Sequence, residues 1–309
     1  MADKPPFSQR ASDMLINVIG RGIIGLMLAL PYETRMHTAG WLFARVIGPI
    51  SGARKRIRRN LAYVWPDLPA EDVERLCREV PDNMGRGLIE QYSGREFNAR
   101  VAKLAPTGPG IAALDEARVN NRPIIVVSGH IGNCHAARSL IQQRGHKIGA
   151  IYRDLSNPYF NPHYVEALAS IASPMFGRTR RGMAEMVKFL RKGNTVAILP
   201  DQYFNAGIVI NFFGKPAPTA ASAAEMALKY DALVIPVYSL RKEDGVSFDV
   251  YVEEPIPHTD AKTMTQAMAD SLEAQIRKAP GQWLWVHKRW KPEYAQVDAR
   301  KDMKLDISV

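Results

Sequence analysis

Cysteine is scarce in this chain, and its scarcity excludes two classes of protein. Among 309 residues only Cys77 and Cys134 are cysteines. Two cysteines do not form the disulfide framework of a small secreted domain, and their spacing matches no common zinc motif. A secretory signal is also missing, because no small-residue cleavage site follows the first apolar stretch. These absences favour a reduced, cytosol-facing protein.

Acidic residues are scarce near the N-terminus. Residues 1–60 contain ten Lys and Arg but three Asp and Glu, so this segment carries seven of the chain's ten net positive charges. Such a segment favours an anionic partner, which is a phospholipid surface, an acidic protein or nucleic acid. Nucleic acid is the least favoured, because the basic cluster at 54–59 has no interleaved aromatics and no nucleic-acid-binding module is recognisable.

The N-terminal apolar run is short and contains a charge. It covers Met14–Leu30, 17 residues with Arg21 near the middle, and a charge at mid-span costs about 2.5–3.5 kcal/mol. We therefore predict a helix in the membrane interface rather than a full span. A second apolar stretch and the polybasic cluster follow, which suits an anionic membrane. We predict that 1–60 is a membrane-associating helical segment; the alternative is a core helix pair followed by a solvated charged helix.

Short β-branched runs alternate with helical patterns in the rest of the chain. Strands are predicted at 124–127, 147–152, 195–199 and 233–238, with an edge strand at 247–252. The main helices are predicted at 70–80 (continuing to about 97 after an interruption at Pro81), 111–120, 161–173, 183–191, 220–230 and 263–278. The alternation predicts one α/β domain at 61–295, a mainly parallel sheet flanked by helices, with a C-terminal tail at 296–309.

Polar side chains follow three of the predicted strands. His130 comes after the first strand, Arg153 after the second and Asp201 after the third. The carboxyl ends of parallel strands meet at one edge of a sheet, where ligands bind. A base, a cation and a carboxylate at this edge predict a site for an anionic substrate. A hydrolase of the α/β type is less favoured, because the chain has no Gly-x-Ser-x-Gly elbow before a helix.

Five motifs in a fixed order give the chain a family resemblance. They are SGHIGN at 128–133, YRDLSNP at 152–158, LPDQ at 199–202, FFGKPAPT at 212–219 and PGQWLWVHKRWK at 280–291. With them the chain resembles the late acyltransferases of lipid A biosynthesis, the lauroyl/myristoyl acyltransferase family of the lysophospholipid-acyltransferase-like superfamily, and more distantly the mycobacterial mannoside acyltransferases. The resemblance runs from about residue 16 to residue 291.

The resemblance implies an enzyme on the cytoplasmic face of the inner membrane. It would transfer a fatty acyl group from acyl carrier protein to a hydroxyl of a lipid A precursor or related glycolipid, without a metal or other cofactor. His130 matches the family's base, which takes the proton from the acceptor hydroxyl. Arg153 would bind the anionic substrate or the developing oxyanion; the alternative is a structural ion pair with Asp201. Asp201 would orient Arg153 or serve as an acid beside His130.

One position departs from the family's motif. In the family a carboxylate stands five residues after the histidine, and here that position is His135. A carboxylate fixes the tautomer of an imidazole and stabilises its charged form, and a second histidine does neither reliably. Asp154 and Asp201 are the candidates to replace it. A second hypothesis follows, in which the chain is a catalytically impaired family member that binds lipid or carrier protein.

Several aromatic and sulfur side chains have two interpretations. Phe212 and Phe213 are predicted either in the core or along an acyl-chain groove. For Trp283, Trp285 and Trp290 the first prediction is strand core and the second a lipid interface. Two minor hypotheses concern Cys134, which would accept the acyl group as a thioester or would bind a metal together with His130 and His135.

Overall fold

The computed structural model describes residues 6–290, and the predicted tail at 296–309 lies outside them. The N-terminal part is helical. Its helices are α1 (Phe7–Leu28), α2 (Tyr32–Leu42, continued by a π-helical turn at Phe43–Ile47), α3 (Gly48–Ile50), α4 (Ala53–Val64), α5 (Ala70–Tyr92) and α6 (Gly94–Val101). The later helices are α7 (Ile111–Val119), α8 (Cys134–Gln143), α9 (Asn161–Ile171), α10 (Arg180–Leu190), α11 (Ser222–Tyr230) and α12 (Ala261–Lys278).

A six-stranded sheet lies at the centre of the domain. Its strands are β1 (Ile124–Val127), β2 (Ile148–Tyr152), β3 (Met175–Gly177), β4 (Thr195–Ile198), β7 (Leu233–Arg241) and β8 (Phe248–Val252), in the order β3-β2-β4-β1-β7-β8. Neighbouring strands are parallel except for β8, which runs antiparallel to β7 at one edge. The predicted mainly parallel α/β sheet is confirmed, and so is the edge position of β8.

Strand β1 shows why helices cover both faces of this sheet. All four of its residues are buried. Ile124 and Val126 pack with residues of α7 and α8, whereas Ile125 and Val127 pack with residues of α10, α11 and α12. Because successive side chains of a strand point to opposite faces, β1 needs an apolar layer on each side. Burial of each such side chain contributes about 1.5–3 kcal/mol.

Helix α5 continues without a break through Pro81, so the predicted interruption is wrong. Proline lacks the N–H that would bond the carbonyl of Cys77, and this normally ends or kinks a helix. Here Pro81 is buried and lies against Gly48, where an added Cβ would come within 3.1 Å of the proline ring. Tertiary contacts of α5 with the preceding helices therefore outweigh the missing hydrogen bond.

A two-stranded hairpin, β5 (Ile208–Phe212) and β6 (Lys215–Thr219), was not predicted. Pro216 and Pro218 argue against a strand in the sequence, since proline cannot donate to a ladder. Each strand of the hairpin has an outer side that pairs with no other described strand, and this accommodates both prolines. The turn residues Phe213 and Gly214 have φ of 56° and 72°, as the tight primed hairpin turns require.

The tryptophans of the last motif lie in the core but not in a strand. After a 3₁₀ turn at Pro280–Gln282 the chain is irregular, so the predicted strand is wrong. Trp283, Trp285 and Trp290 are nevertheless buried, and they contact Phe212 and Phe213 with ring centroids 5.6–6.5 Å apart. Mutual ring packing holds these side chains in place of a hydrogen-bonded ladder. The phenylalanines lie in the same cluster, in agreement with the core interpretation.

The N-terminal segment is divided between exposed and packed helices. Helix α1 is long and apolar enough to cross a membrane by length and composition, and most of its apolar side chains are exposed. In contrast, α2 buries Met36 against the helical layer and α4 buries Ile57 and Leu61 beneath the tryptophans. Helices α2 and α4 therefore both contribute side chains to the core, although α4 is the stretch that the alternative takes as a solvated charged helix. The predicted boundary at residue 60 falls inside α4.

Candidate active site

The ends of β1 and β4 bring His130 and Asp201 together. These strands are parallel neighbours in which Val127 pairs with Ile198, and each functional residue lies three positions beyond its strand. His130 Nδ1 is 2.7 Å from Asp201 Oδ1, and the backbone N–H of His130 donates to Asp201 Oδ2 at 2.8 Å. Parallel pairing alone thus places a carboxylate beside the histidine, as expected at the carboxyl edge of such a sheet.

Asp201 is held as a buried carboxylate. It is 5% exposed, and Oδ2 also accepts a hydrogen bond from Trp283 Nε1 at 3.0 Å. Burial acts to raise the pKa of Asp201, but the charge of His130 and hydrogen bonds from His130 and Trp283 outweigh it and lower the pKa to about 2. The ionised carboxylate accepts a hydrogen bond from Nδ1–H, and this favours the tautomer in which Nε2 of His130 carries no proton.

His130 keeps an accessible side. Its side chain is 32% exposed, and the Nε2 atom lies 3.5 Å from Gln202 Nε2. Burial acts to lower the pKa of His130, whereas the charge and hydrogen bond of Asp201 raise it, and the net pKa is above the usual value of 6.5. The pair therefore resembles a general base in which a carboxylate at Nδ1 stabilises the protonated imidazole.

His135 lies near this pair but stays neutral. Its position is set by Asn133, which caps α8 by accepting the His135 backbone N–H at 2.9 Å. Burial, and then the positive charges of Arg138 and His130, lower the pKa of His135 to about 3. Of the two carboxylates proposed to replace an acid at this position, Asp201 contacts His130. Asp154 is exposed and accepts instead from Asn161 Nδ2 at 2.8 Å.

The structure does not favour two of the alternatives predicted above, namely Cys134 as an acyl acceptor and an ion pair between Arg153 and Asp201. Burial raises the pKa of the Cys134 thiol to about 11, so it is protonated and a poor nucleophile. Arg153 is exposed, and Asp201 pairs with His130 and Trp283 rather than with Arg153. Within residues 6–290 no group of three or more His, Cys, Asp or Glu side chains is arranged to hold a metal ion.

A buried ion pair lies behind the loop that carries His130. Glu90 of α5 is fully buried, and both of its carboxylate oxygens bind the guanidinium of Arg241 at the end of β7. Arg241 Nε also donates to Asn83 Oδ1 at 2.9 Å. Sequence reasoning missed this pair, because Glu90 and Arg241 are 151 positions apart and each is typical of a solvated helix or strand end.

This ion pair holds the His130 loop through two asparagines. Asn133 Nδ2 donates to Glu90 Oε2 at 2.6 Å, while Asn83 Nδ2 donates to the carbonyl of Gly132 at 3.1 Å. Gly132 has a φ of 55°, and a Cβ on it would overlap the carbonyl of Ser239. Only glycine suits this conformation and this close approach. The buried contacts therefore fix the backbone from which His130 projects.

Comparison with known proteins identifies relatives over the whole described domain. Residues 6–292 match the family model for bacterial lipid A biosynthesis acyltransferases. The chain is 26% identical over 284 residues to a lipid A biosynthesis acyltransferase of Haemophilus influenzae, covering 88% of this chain and 89% of the relative. It is 23% identical over 289 residues to the lipid A biosynthesis lauroyltransferase of Escherichia coli, covering 91% and 93%.

A relative with a different acceptor in its name is similar over a comparable length. The chain is 23% identical over 275 residues to a phosphatidylinositol mannoside acyltransferase of Mycobacterium tuberculosis, covering 82% of this chain and 87% of the relative. All three relatives are acyltransferases by name, and two of them are named for lipid A biosynthesis.

Proposed function

Because the chain belongs to the bacterial lipid A biosynthesis acyltransferase family, we propose that it transfers a fatty acyl group from acyl carrier protein to a hydroxyl of a lipid A precursor or related glycolipid. The observation that supports catalysis most directly is the hydrogen bond between His130 Nδ1 and Asp201 Oδ1. It supplies the carboxylate partner that the histidine at position 135 does not.

The proposed reaction is general-base catalysis of acyl transfer. His130 Nε2 takes the proton of the acceptor hydroxyl as its oxygen attacks the thioester carbonyl of the acyl donor. Asp201 holds the Nδ1 proton and stabilises the imidazolium that forms. The tetrahedral intermediate then collapses, the carbon–sulfur bond breaks, and the imidazolium returns its proton to the leaving thiolate. The products are the ester and the free thiol of the carrier.

Arg153 and His135 have supporting roles in this proposal. We assign Arg153 to the anionic substrate or to the developing oxyanion, because its exposed guanidinium follows β2, the strand next to β4. His135 has no proton to give at neutral pH, since its pKa lies near 3. We therefore assign it to the wall of the site rather than to proton transfer.

The proposed location is the cytoplasmic face of the inner membrane. The exposed apolar side chains of α1 would enter the interface, and the exposed Lys55 and Arg59 of α4 would face anionic headgroups. The same positive surface would attract the acidic carrier protein. Arg58 contributes less to it, because it pairs with Glu74.

The alternative is a catalytically impaired protein that binds lipid or carrier. That hypothesis assumes that His130 lacks a carboxylate, and the contact with Asp201 favours the enzyme instead.

The test is transfer of labelled acyl chains from acyl carrier protein to purified lipid A precursor by the wild type, His130→Ala and His135→Glu. We expect product from the wild type, loss of about 10⁴-fold in His130→Ala, and no gain in His135→Glu. Wild-type product no greater than that of His130→Ala would contradict the proposal. A gain of orders of magnitude in His135→Glu would support the impaired protein.

A further inference from the structure

Three exposed arginines follow β2 and β3, the two strands at the far side of the sheet from β7. Arg153 comes directly after β2, Arg178 comes directly after β3, and Arg180 is the first residue of α10. Tyr152 and Gly177 are register partners, and the Arg178 backbone N–H donates to the Tyr152 carbonyl at 3.0 Å. Arg153 and Arg178 are therefore neighbours across one strand pair. We call Arg153, Arg178 and Arg180 the rim arginines.

In the part of the chain that the structure describes, no carboxylate neutralises the rim arginines. Within residues 6–290 none of the three has a carboxylate within 4.0 Å, although the next arginine along the chain, Arg181, pairs with Glu185 at 2.8 Å. The acidic residue adjacent to them in sequence is Asp154, and Asn161 donates to it. Uncompensated guanidinium groups at the edge of a site favour an anion from outside the protein.

The rim arginines also belong to the edge that carries the proposed base. Arg178 lies over the ring of Phe204, with its guanidinium carbon 6.0 Å from the ring centroid, and Phe204 is three residues beyond Asp201. Strands β3 and β1 are three positions apart in the sheet, which corresponds to about 14 Å. One extended lipid headgroup spans this distance, with a hydroxyl-bearing chain at one end and an anionic group at the other.

The loop between β2 and α9 connects this edge to α1. Asn157 Nδ2 donates to the carbonyl of Asp13 at 2.7 Å, and the ring of Phe160 packs on Gly20, where a Cβ would lie 3.1 Å away. The loop that follows Arg153 therefore packs against the helix with the exposed apolar side chains. This position suits a ligand that arrives from a membrane better than a soluble carrier protein.

We propose that the rim arginines bind a phosphate group on the headgroup of the acceptor lipid while its reacting hydroxyl lies at His130. The inference rests on the proposed acyl transfer to a lipid acceptor. Guanidinium groups bind phosphate oxygens in a bidentate manner, and this geometry makes arginine well suited to phosphate recognition. Arg178 and Arg180 set the position of the headgroup and take no part in proton transfer.

The test compares Arg178→Gln/Arg180→Gln with the control Lys188→Gln/Lys192→Gln. The control removes the same charge from exposed positions near the other end of α10. Each full-length protein is sedimented with phosphatidylcholine vesicles that contain the phosphorylated acceptor or the same lipid after phosphatase treatment. We expect the wild type and the control to bind the phosphorylated vesicles more strongly. We expect the arginine variant to lose this preference.

Kinetics separate this inference from the proposed function. In the arginine variant we expect the KM for phosphorylated acceptor to rise about tenfold, as loss of a charge-assisted contact predicts, with kcat and the KM for acyl carrier protein unchanged. An unchanged vesicle preference, or a rise in the KM for the carrier alone, would overturn the phosphate subsite; the second result would assign the surface to the carrier. If the wild type transfers no acyl group, the proposed function fails, and the vesicle comparison still tests whether the rim arginines bind the phosphate.

Discussion

The ends of β1 and β4 carry His130 and the buried carboxylate of Asp201, which bind each other, whereas the ends of β2 and β3 carry exposed arginines that form no ion pair with residues 6–290. Asp201 uses both oxygens on His130 and Trp283, and Glu90 uses both oxygens on Arg241. Arg153 and Arg178 project from the same edge into solvent. The two halves of one sheet edge thus differ in how firmly their side chains are held.

The two halves of the edge suit the two roles proposed above, which are proton transfer and anion binding. A proton-transfer pair needs a fixed geometry and a controlled pKa, and burial with several hydrogen bonds provides both. A group that captures an anion from a membrane needs long reach and free donors, and a solvated arginine provides these without a large desolvation cost. Substitutions on the buried half should therefore change rate and stability, and substitutions on the exposed half should change substrate affinity.

The largest effect is expected for Asp201→Asn. The variant keeps the size of the side chain but removes the charge that stabilises the imidazolium of His130, and kcat for acyl transfer should fall by about 10³–10⁴-fold. The matched control is Asp154→Asn, an exposed carboxylate at the same edge, which should retain the wild-type rate. Equal losses in the two variants would remove the distinction between the halves of the edge.

The next largest effect is expected on stability, for a substitution in the buried ion pair of Glu90 and Arg241. Glu90→Gln leaves the buried Arg241 guanidinium without the carboxylate that binds it, and it should lower the free energy of unfolding by about 3–5 kcal/mol. Urea denaturation measures this, with Arg153→Gln as the control that should change stability by less than about 0.5 kcal/mol. A double variant, Glu90→Leu/Arg241→Met, should recover part of the loss. A stability in Glu90→Gln equal to that of the control would contradict this account.

A smaller effect is expected for Trp283→Phe. Phenylalanine keeps an aromatic ring in the cluster but removes the indole N–H that donates to Asp201 Oδ2. A lost hydrogen bond to a buried carboxylate is worth about 1.5–3 kcal/mol, so kcat should fall by about 10- to 100-fold. Trp285→Phe is the control, because its indole donates to the Pro280 carbonyl and not to Asp201. An equal fall of kcat in Trp285→Phe would contradict the role assigned to the hydrogen bond between Trp283 and Asp201.

The sequence was sufficient to place the site but not to choose its carboxylate. The polar residues after the strands could be assigned to one edge because parallel pairing brings strand ends together. The family's motif places the partner of His130 at position 135, where this chain has a histidine, and the sequence leaves Asp154 and Asp201 as the candidates to replace it. Asp201 is 71 positions away and reaches His130 only because β4 lies between β1 and β2. Strand order of this kind is a tertiary property that local pattern does not determine.

The elements that escaped prediction share a dependence on contacts distant in sequence. Pro81 stays helical because of contacts of α5 with the earlier helices, and the hairpin of β5 and β6 tolerates two prolines because its outer sides pair with no other described strand. The Glu90–Arg241 pair has no local signal at all. Burial of a charge is visible only once its partner is placed, since an isolated glutamate on a helix is normally solvated.

The measurement that tests the central claim most directly is an NMR titration of His130. The claim is that Asp201 acts as its carboxylate partner, and the test needs no substrate. The protein has seven histidines, so the His130 ring signal is assigned by its absence in His130→Gln. In the wild type we expect a pKa above 6.5, because the charge and hydrogen bond of Asp201 outweigh burial.

In Asp201→Asn we expect the pKa of His130 to fall below 6.5, since burial then acts alone on the charged form. The base is active when neutral, so wild-type transfer should fall as the pH drops through the raised pKa, and this acidic limb should move to lower pH in the variant. A His130 pKa that is the same in both proteins would contradict the claim that Asp201 is its partner.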